Sequence, residues 1–215
     1  MIKYIFPLIA LILGLLIVFL PHFMRMNQSD NKFSLLNSFP FETPIDYRTR
    51  IIYLLLFGLF TLMCAESYSS ALFIPSKNIG MISALILFII SDIAMFGSIC
   101  FTLEYYRYHI IADAIFFVTK IGAGLTLCIT CLTSELYIEF TLWISIVIGV
   151  ISLICLGLLF IPKLKKWMYL EKSEMNGHVT YIRPKVSILA LVEWIFIIAE
   201  IVIMLLLVIN GVLLM

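Results

Sequence analysis

The sequence predicts an all-α membrane protein built as a bundle of six transmembrane helices. The first observation is composition: 63% of the 215 residues are hydrophobic and only 13% are charged, and the mean hydropathy is +1.15. Soluble domains are about half apolar and about a quarter charged. The second observation is that the apolar residues recur along the whole chain in runs of about 20, the length that crosses a bilayer as a helix.

Residues 1–215 are therefore expected to form a single transmembrane domain. Lys3 precedes the first apolar run, but no small-residue cleavage site follows it, so this run is interpreted as a retained helix and not a signal peptide. The links between the second and fifth helices are short, which predicts antiparallel neighbours. The predicted helices cover residues 2–20, 51–74, 79–102, 108–132, 137–161 and 186–213.

Two segments are substantially polar, residues 21–50 and 162–185. In the second, Asn176-Gly177 lies between β-forming residues and suits the turn of a small hairpin, and a solvated loop is the alternative. Glycines in the apolar runs are expected to mark close helix contacts more than a site; they are Gly122, Gly124, Gly149 and Gly157.

The distribution of Lys and Arg predicts the orientation of the chain. Loops 21–50, 103–107 and 162–185 carry eleven of these residues, and the opposite side carries two, Lys3 and Lys77. The positive-inside rule then places the three loops in the cytoplasm and both termini outside. A glycosylation sequon at Asn27 would need the reverse orientation, and we follow the charge distribution.

The fourth apolar run contains three ionisable residues on one narrow stripe. At about 100° per residue, His109, Asp113 and Lys120 lie within about 40° of one another on a helix. Gly124 and Cys131 continue the stripe. A stripe of this kind cannot face acyl chains, so it is expected to face other helices or a wet cavity.

Acidic residues of neighbouring helices reach the same depths. Asp92 and Lys120 each lie 14 residues from Tyr106, at the turn between the third and fourth helices. Both are thus roughly 20 Å from that turn, and we expect them to form an ion pair. Glu200 reaches a similar depth and has no obvious basic partner. Glu193 joins His109 and Asp113 in a second layer nearer the third loop.

This network of buried charges has two open interpretations. It is either a path for an ion, a proton or a polar substrate, or a set of ion pairs that fix the register of the helices. Its members are Asp92, Lys120, Glu200, His109, Asp113 and Glu193.

Cys128 and Cys131 form a C-x-x-C pair at the end of the fourth helix. Thiol oxidoreductases use this spacing because one thiolate attacks and its neighbour resolves the mixed disulfide. The three histidines fall in separate segments and match no zinc pattern, so no metal and no cofactor are expected. A net charge of +1 leaves no basic footprint for a nucleic-acid partner.

The run His109-Ile110-Ile111-Ala112-Asp113-Ala114, followed by Phe116-Phe117, and the pair Glu193-Trp194 resemble the DRAM-like family of six-helix membrane proteins. That family includes GPI-anchor lipid-remodelling factors. The resemblance implies lipid-linked or regulatory work in the membrane, with His109 and Glu193 as the positions of interest.

The sequence therefore leaves three candidate functions open. The first is a lipid-associated or regulatory membrane protein, with membrane lipid and other membrane subunits as candidate partners. The second is a small transporter or proton-linked carrier that uses Asp92, Lys120 and Glu200. The third is a membrane thiol oxidoreductase that uses Cys128 and Cys131.

Overall fold

The described residues of the computed structural model form six α-helices and one β-hairpin, which confirms the predicted all-α class for the body of the protein. The structure describes residues 2–25, 38, 40, 47–70, 78–101, 105–133, 139–160, 171–175, 178–182 and 188–213. The helices are α1 (Ile2–Arg25), α2 (Tyr47–Tyr68), α3 (Ile79–Cys100), α4 (Tyr106–Thr133), α5 (Glu139–Leu159) and α6 (Ile188–Leu213).

Four of the described helices are long and apolar enough to cross a membrane. They are α2, α3, most of α4 and the central part of α6. The apolar segments described in α1 and α5 are shorter, Ile5–Leu20 and Leu142–Leu158. The four spans are compatible with an integral membrane protein, and the crossing of the membrane by α1 and α5 stays a prediction.

The helices pack in chain order and close into a ring. Each helix contacts the next one along the chain, and α6 returns to pack against α1. The contact between α3 and α4 is the most extensive, as the short link between them favours, and the contact between α5 and α6 is much smaller. Side chains of α2, α3, α4 and α6 can therefore meet inside the ring.

Both faces of these helices are apolar, but they carry different side chains. Aromatic residues fill the interior, including Phe57, Phe60 and Phe88, and aliphatic residues such as Ile93 and Leu132 cover the outside. An apolar exterior is what contact with lipid requires. Several buried hydroxyls are satisfied within their own helix; the Ser91 hydroxyl, for example, donates to the carbonyl of Phe88 at 2.7 Å.

Polar contacts join the helix ends to their surroundings. Asn78 caps the start of α3, where its Oδ1 accepts from the backbone N–H of Gly80 at 2.8 Å. At the other end of α3, Arg50 Nη2 donates to the Cys100 carbonyl at 2.9 Å. Trp194 Nε1 donates to the carbonyl of Ser38 at 2.8 Å, which fixes one residue of the first polar segment against α6.

The second polar segment contains the hairpin, β1 (Glu171–Met175) and β2 (His178–Ile182). The strands are antiparallel, with Met175 opposite His178 and Glu171 opposite Ile182. Asn176-Gly177, the pair expected to form the turn, lies outside the described residues. The sequon at Asn27 and the basic residues 163–166 lie outside them as well.

Two glycines allow α4 and α5 to approach closely. A Cβ added to Gly149 would lie 2.9 Å from both Cβ and Sγ of Cys128, and one added to Gly124 would lie against Ser152 and 3.0 Å from Ile148 Cγ2. Gly157, in contrast, has no heavy atom of the described neighbours within 4 Å of an added Cβ. The expectation of a close helix contact is therefore wrong for Gly157.

Gly149→Ala should destabilise the protein and Gly157→Ala should not. The added methyl group at 149 must displace Cys128, at a cost of about 1–3 kcal/mol. At 157 the same change only improves helix propensity, by up to about 1 kcal/mol. Thermal unfolding of both variants in detergent measures the difference. Equal shifts in the midpoint of unfolding would contradict a tight α4–α5 contact at Gly149.

Candidate functional site

Ionisable side chains meet inside the ring in two clusters. The inner cluster consists of Tyr68, Asp92, Lys120 and Glu200. The outer cluster consists of His109, Asp113 and Glu193. All seven residues are at most 4% exposed. Placing an ionisable group inside a membrane has a high free-energy cost, so such groups are found where they have partners or a function.

Helix periodicity places the two clusters at successive depths. On α4, Asp113 and Lys120 are seven residues apart, and on α6 so are Glu193 and Glu200. Seven residues make about two turns, which returns the side chain to the same face about 10 Å further along the axis. Helices α4 and α6 therefore each contribute at least one residue to the inner cluster and at least one to the outer cluster.

Lys120 lies at the centre of the inner cluster. Its Nζ is 3.5 Å from Asp92 Oδ1 and forms a second ion pair with Glu200. The Tyr68 hydroxyl donates a hydrogen bond to Glu200 Oε2. The cluster therefore joins α2, α3, α4 and α6 through one ammonium group, and Glu200 does have a basic partner, which the sequence had not indicated.

Aromatic rings surround the ammonium group of Lys120. The rings of Tyr68 and Phe88 are stacked, with centroids 4.3 Å apart. Lys120 Nζ lies 4.8 Å from the Phe88 centroid and 5.4 Å from the Tyr68 centroid. These distances allow cation–π attraction, which supplements the two ion pairs where no bulk water can solvate the charge.

His109 orients the outer cluster. Its Nδ1 lies 2.8 Å from the Ser98 carbonyl, and because a carbonyl only accepts, Nδ1 carries the hydrogen. Ser98 is among the last four residues of α3, whose carbonyls have no donor within the helix. His109 Nε2 then faces Asp113 Oδ2 at 3.0 Å and Glu193 Oε1 at 3.5 Å.

Charge does not balance in either cluster when every group is ionised. Each has two carboxylates and a single group that can be positive, Lys120 in the inner cluster and His109 in the outer one. An uncompensated charge in such surroundings costs several kcal/mol. Each cluster is thus suited to hold one further proton or cation.

Three phenylalanine rings lie between the clusters. Phe116 and Phe117 follow Asp113 and precede Lys120 on α4, and Phe196 lies between Glu193 and Glu200 on α6. The ring of Phe196 is 5.3 Å from that of Phe116 and 5.7 Å from that of Phe117, centroid to centroid. We call these three residues the phenylalanine layer. It separates the inner cluster from the outer one with apolar surface.

A small, partly enclosed recess with room for about one water molecule borders the inner cluster. Residues of α3, α4, α5 and α6 line it, and the contact between α5 and α6 is the smallest between neighbouring helices of the ring. Among the described lining residues, Lys120 and Ser152 have polar side chains, and the others are apolar, such as Ile148, Phe196 and Ile203. Lys120 is ionisable and Ser152 is not.

The structure brings together the residues that the sequence singled out, with two additions. Asp92, Lys120 and Glu200 meet, and so do His109, Asp113 and Glu193. Sequence reasoning missed Tyr68 and the Ser98 carbonyl. Tyr68 lies at the last turn of α2, and only the packing of that helix reveals that its hydroxyl reaches Glu200.

Cys128 and Cys131 are both free thiols in the contact between α4 and α5. Cys131 is fully buried, and Cys128 lies against Gly149. Redox cysteines of this spacing need an exposed attacking thiolate. Cys131 does not offer one, whereas Cys128 is partly exposed, so the redox use of the pair stays a prediction.

Comparisons of the chain with protein-family models, with curated proteins and with solved structures found no match. The DRAM-like resemblance therefore stays a prediction, and functional inference depends on the two clusters.

Lys120→Met should destabilise the protein by about 3–5 kcal/mol, because it leaves Asp92 and Glu200 buried without their shared cation. The free energy of unfolding in detergent or bicelles measures this loss. Adding Asp92→Asn and Glu200→Gln to Lys120→Met removes both stranded charges and should restore most of the stability. A triple variant no more stable than Lys120→Met would show that the three residues are not coupled.

Proposed function

We propose that this protein is a multi-pass membrane carrier that moves protons, alone or coupled to a small solute, through the inner cluster. The observation that carries the proposal is that one buried ammonium group, Lys120, is shared by two carboxylates on different helices, Asp92 on α3 and Glu200 on α6. This arrangement has one acidic group more than it needs for neutrality.

The shared ion pair supplies a two-state element. Protonation of Asp92 or of Glu200 removes the charge of that carboxylate and leaves Lys120 paired with the other. The two carboxylates belong to different helices, α3 and α6. Each proton that binds or leaves therefore changes whether Lys120 holds α4 against α3 or against α6. A carrier needs such a link between proton binding and helix position.

The proposal includes a six-span arrangement with loops 21–50, 103–107 and 162–185 in the cytoplasm. The closed ring supports it, because α1 and α5 pack beside spans that are long enough to cross. Ser152 of α5 also lines the recess at Lys120, so α5 reaches the depth of the inner cluster. In this orientation the outer cluster lies towards the cytoplasm.

The recess favours a second candidate function, a lipid-associated or regulatory role, including service as a subunit of a membrane complex. Its lining is almost wholly apolar. The recess has room for about one water molecule, so it suits contact with the methyl end of an acyl chain and not a whole chain. The two candidates make different predictions.

Proton flux tests the carrier. In proteoliposomes that contain a pH-sensitive dye, the wild-type protein should dissipate an imposed proton gradient. Lys120→Met and Glu200→Gln should slow this flux by about tenfold or more, since a loss of only 1.4 kcal/mol at the rate-limiting step suffices for that factor.

Val118→Ala is the matched control for the flux assay. Val118 is on α4, as Lys120 is, but its side chain is 72% exposed on the outer face. Flux equal to the wild type is expected for this variant. The proposed carrier would be excluded if protons moved no faster into liposomes with the wild-type protein than into liposomes without protein. Undiminished proton flux in Lys120→Met would exclude it as well.

Lipid retention tests the second candidate. Native mass spectrometry of the gently solubilised protein should detect a bound lipid, and Ala199→Leu should reduce its occupancy by filling the recess that Ala199 lines. Val202→Leu is the control, because Val202 is on the same helix and exposed. Equal lipid occupancy in the two variants would place any bound lipid outside the recess.

A further inference from the structure

The outer cluster directs three potential metal ligands from two helices towards one point. His109 Nε2, a carboxylate oxygen of Asp113 and a carboxylate oxygen of Glu193 all lie within 4.8 Å of one another. We propose that this cluster binds a divalent first-row transition metal ion. The inference does not depend on proton transport, because a site can bind a metal at equilibrium in a protein that carries nothing.

The orientation of His109 is the first argument. A histidine that ligates a metal through one ring nitrogen usually donates the other N–H to a backbone carbonyl or a carboxylate. Here Nδ1 donates to the Ser98 carbonyl at 2.8 Å, which directs Nε2 at the two carboxylates. The ring is thus held in the orientation that a metal site requires.

The carboxylates give the second, independent argument. Asp113 and Glu193 are at most 2% exposed, and their oxygens have no hydrogen-bond donor of good geometry among the described residues; they face His109 and each other. A buried carboxylate oxygen without a donor is costly. A cation between the two side chains would satisfy both.

The distances match metal coordination. Bonds of about 2.0–2.2 Å from a first-row metal to nitrogen and oxygen place neighbouring ligand atoms roughly 3.0–3.5 Å apart. The observed separations from His109 Nε2 are 3.0 Å to Asp113 Oδ2 and 3.5 Å to Glu193 Oε1. His109 and Asp113 are at positions i and i+4 of one helix, so their spacing is fixed by α4 itself.

Charge and donor chemistry define the class of ion. Two carboxylates balance the two positive charges of a divalent ion, so a metal-bound cluster with neutral His109 carries no net charge. An imidazole nitrogen favours zinc, copper, iron or nickel over magnesium and calcium, which prefer oxygen ligands alone. Three protein ligands leave at least one coordination position for water or another group.

A protonated His109 held between the two carboxylates is the competing occupant, since the same distances suit a salt bridge. Equilibrium metal binding distinguishes a metal site from this salt bridge. The purified full-length protein, stripped with a chelator in detergent, is titrated with Zn²⁺ and separately with Mg²⁺. The metal retained after gel filtration is counted by elemental analysis. We expect one Zn²⁺ per chain and no saturable binding of Mg²⁺.

Variants then assign the site. Loss of a hydrogen-bond partner of a ligand weakens metal binding by about 10–100-fold, so Glu193→Gln, which removes a ligand, should weaken Zn²⁺ binding at least as much. Glu66→Gln is the control, because it removes an exposed carboxylate of α2, and it should bind as the wild type does. If Glu193→Gln does not fold, Co²⁺ bound to the wild-type protein provides the assignment through the paramagnetically shifted proton signal of the ring N–H of a ligating imidazole.

The outcomes decide the inference in either direction. One Zn²⁺ per chain that is lost in Glu193→Gln and retained in Glu66→Gln supports it. No saturable Zn²⁺ binding by the wild-type protein overturns it in favour of the salt bridge. Zn²⁺ binding that is equal in both variants overturns it too, as does Co²⁺-bound protein without a paramagnetically shifted imidazole N–H signal.

Discussion

The ion pairs of Lys120 are the interaction on which the interior of this protein depends. A lysine inside a bundle that is surrounded by lipid has no water to solvate its charge, so its ammonium group must find acidic partners. Asp92 and Glu200 supply them from two other helices, and Tyr68 supports Glu200 from a third. The four helices that meet here are also the four that, within the described residues, are long and apolar enough to cross a membrane. The register of each is therefore tied to the same charged group.

The outer cluster applies the same physics in a different way. His109 first satisfies a carbonyl at the end of α3, where the backbone has no donor of its own. Its other ring nitrogen, Nε2, faces the carboxylates of Asp113 and Glu193. His109 therefore caps the end of α3 and also offers a ligand atom between α4 and α6. Helix termination and ligand binding are therefore coupled at this point, and a substitution of His109 would disturb both.

Much of the architecture can be predicted from the sequence, because lipid allows few solutions. Apolar runs of about 20 residues must be helices, and ionisable residues among them must face inward. Counting residues from the turn between α3 and α4 accordingly indicated which charges share a depth, and the predicted Asp92–Lys120 pair has a counterpart in the 3.5 Å contact. Periodicity did not reveal the rotation of α2, which brings Tyr68 to Glu200, or the recess beside α5, since both depend on how whole helices pack. The proposed metal site was missed for a related reason: Glu193 lies 80 residues beyond Asp113 in the sequence, so the three ligands follow no compact motif.

The phenylalanine layer has a consequence for how the two clusters communicate. Phe116, Phe117 and Phe196 form a region of low dielectric constant between them, with no polar side chain of their own. Much of a transmembrane voltage falls across such a region, and one elementary charge that crosses the full potential gains or loses about 2.3 kcal/mol per 100 mV. Any charge that moves from one cluster to the other would thus be electrogenic, and the membrane potential itself would set the balance between the two.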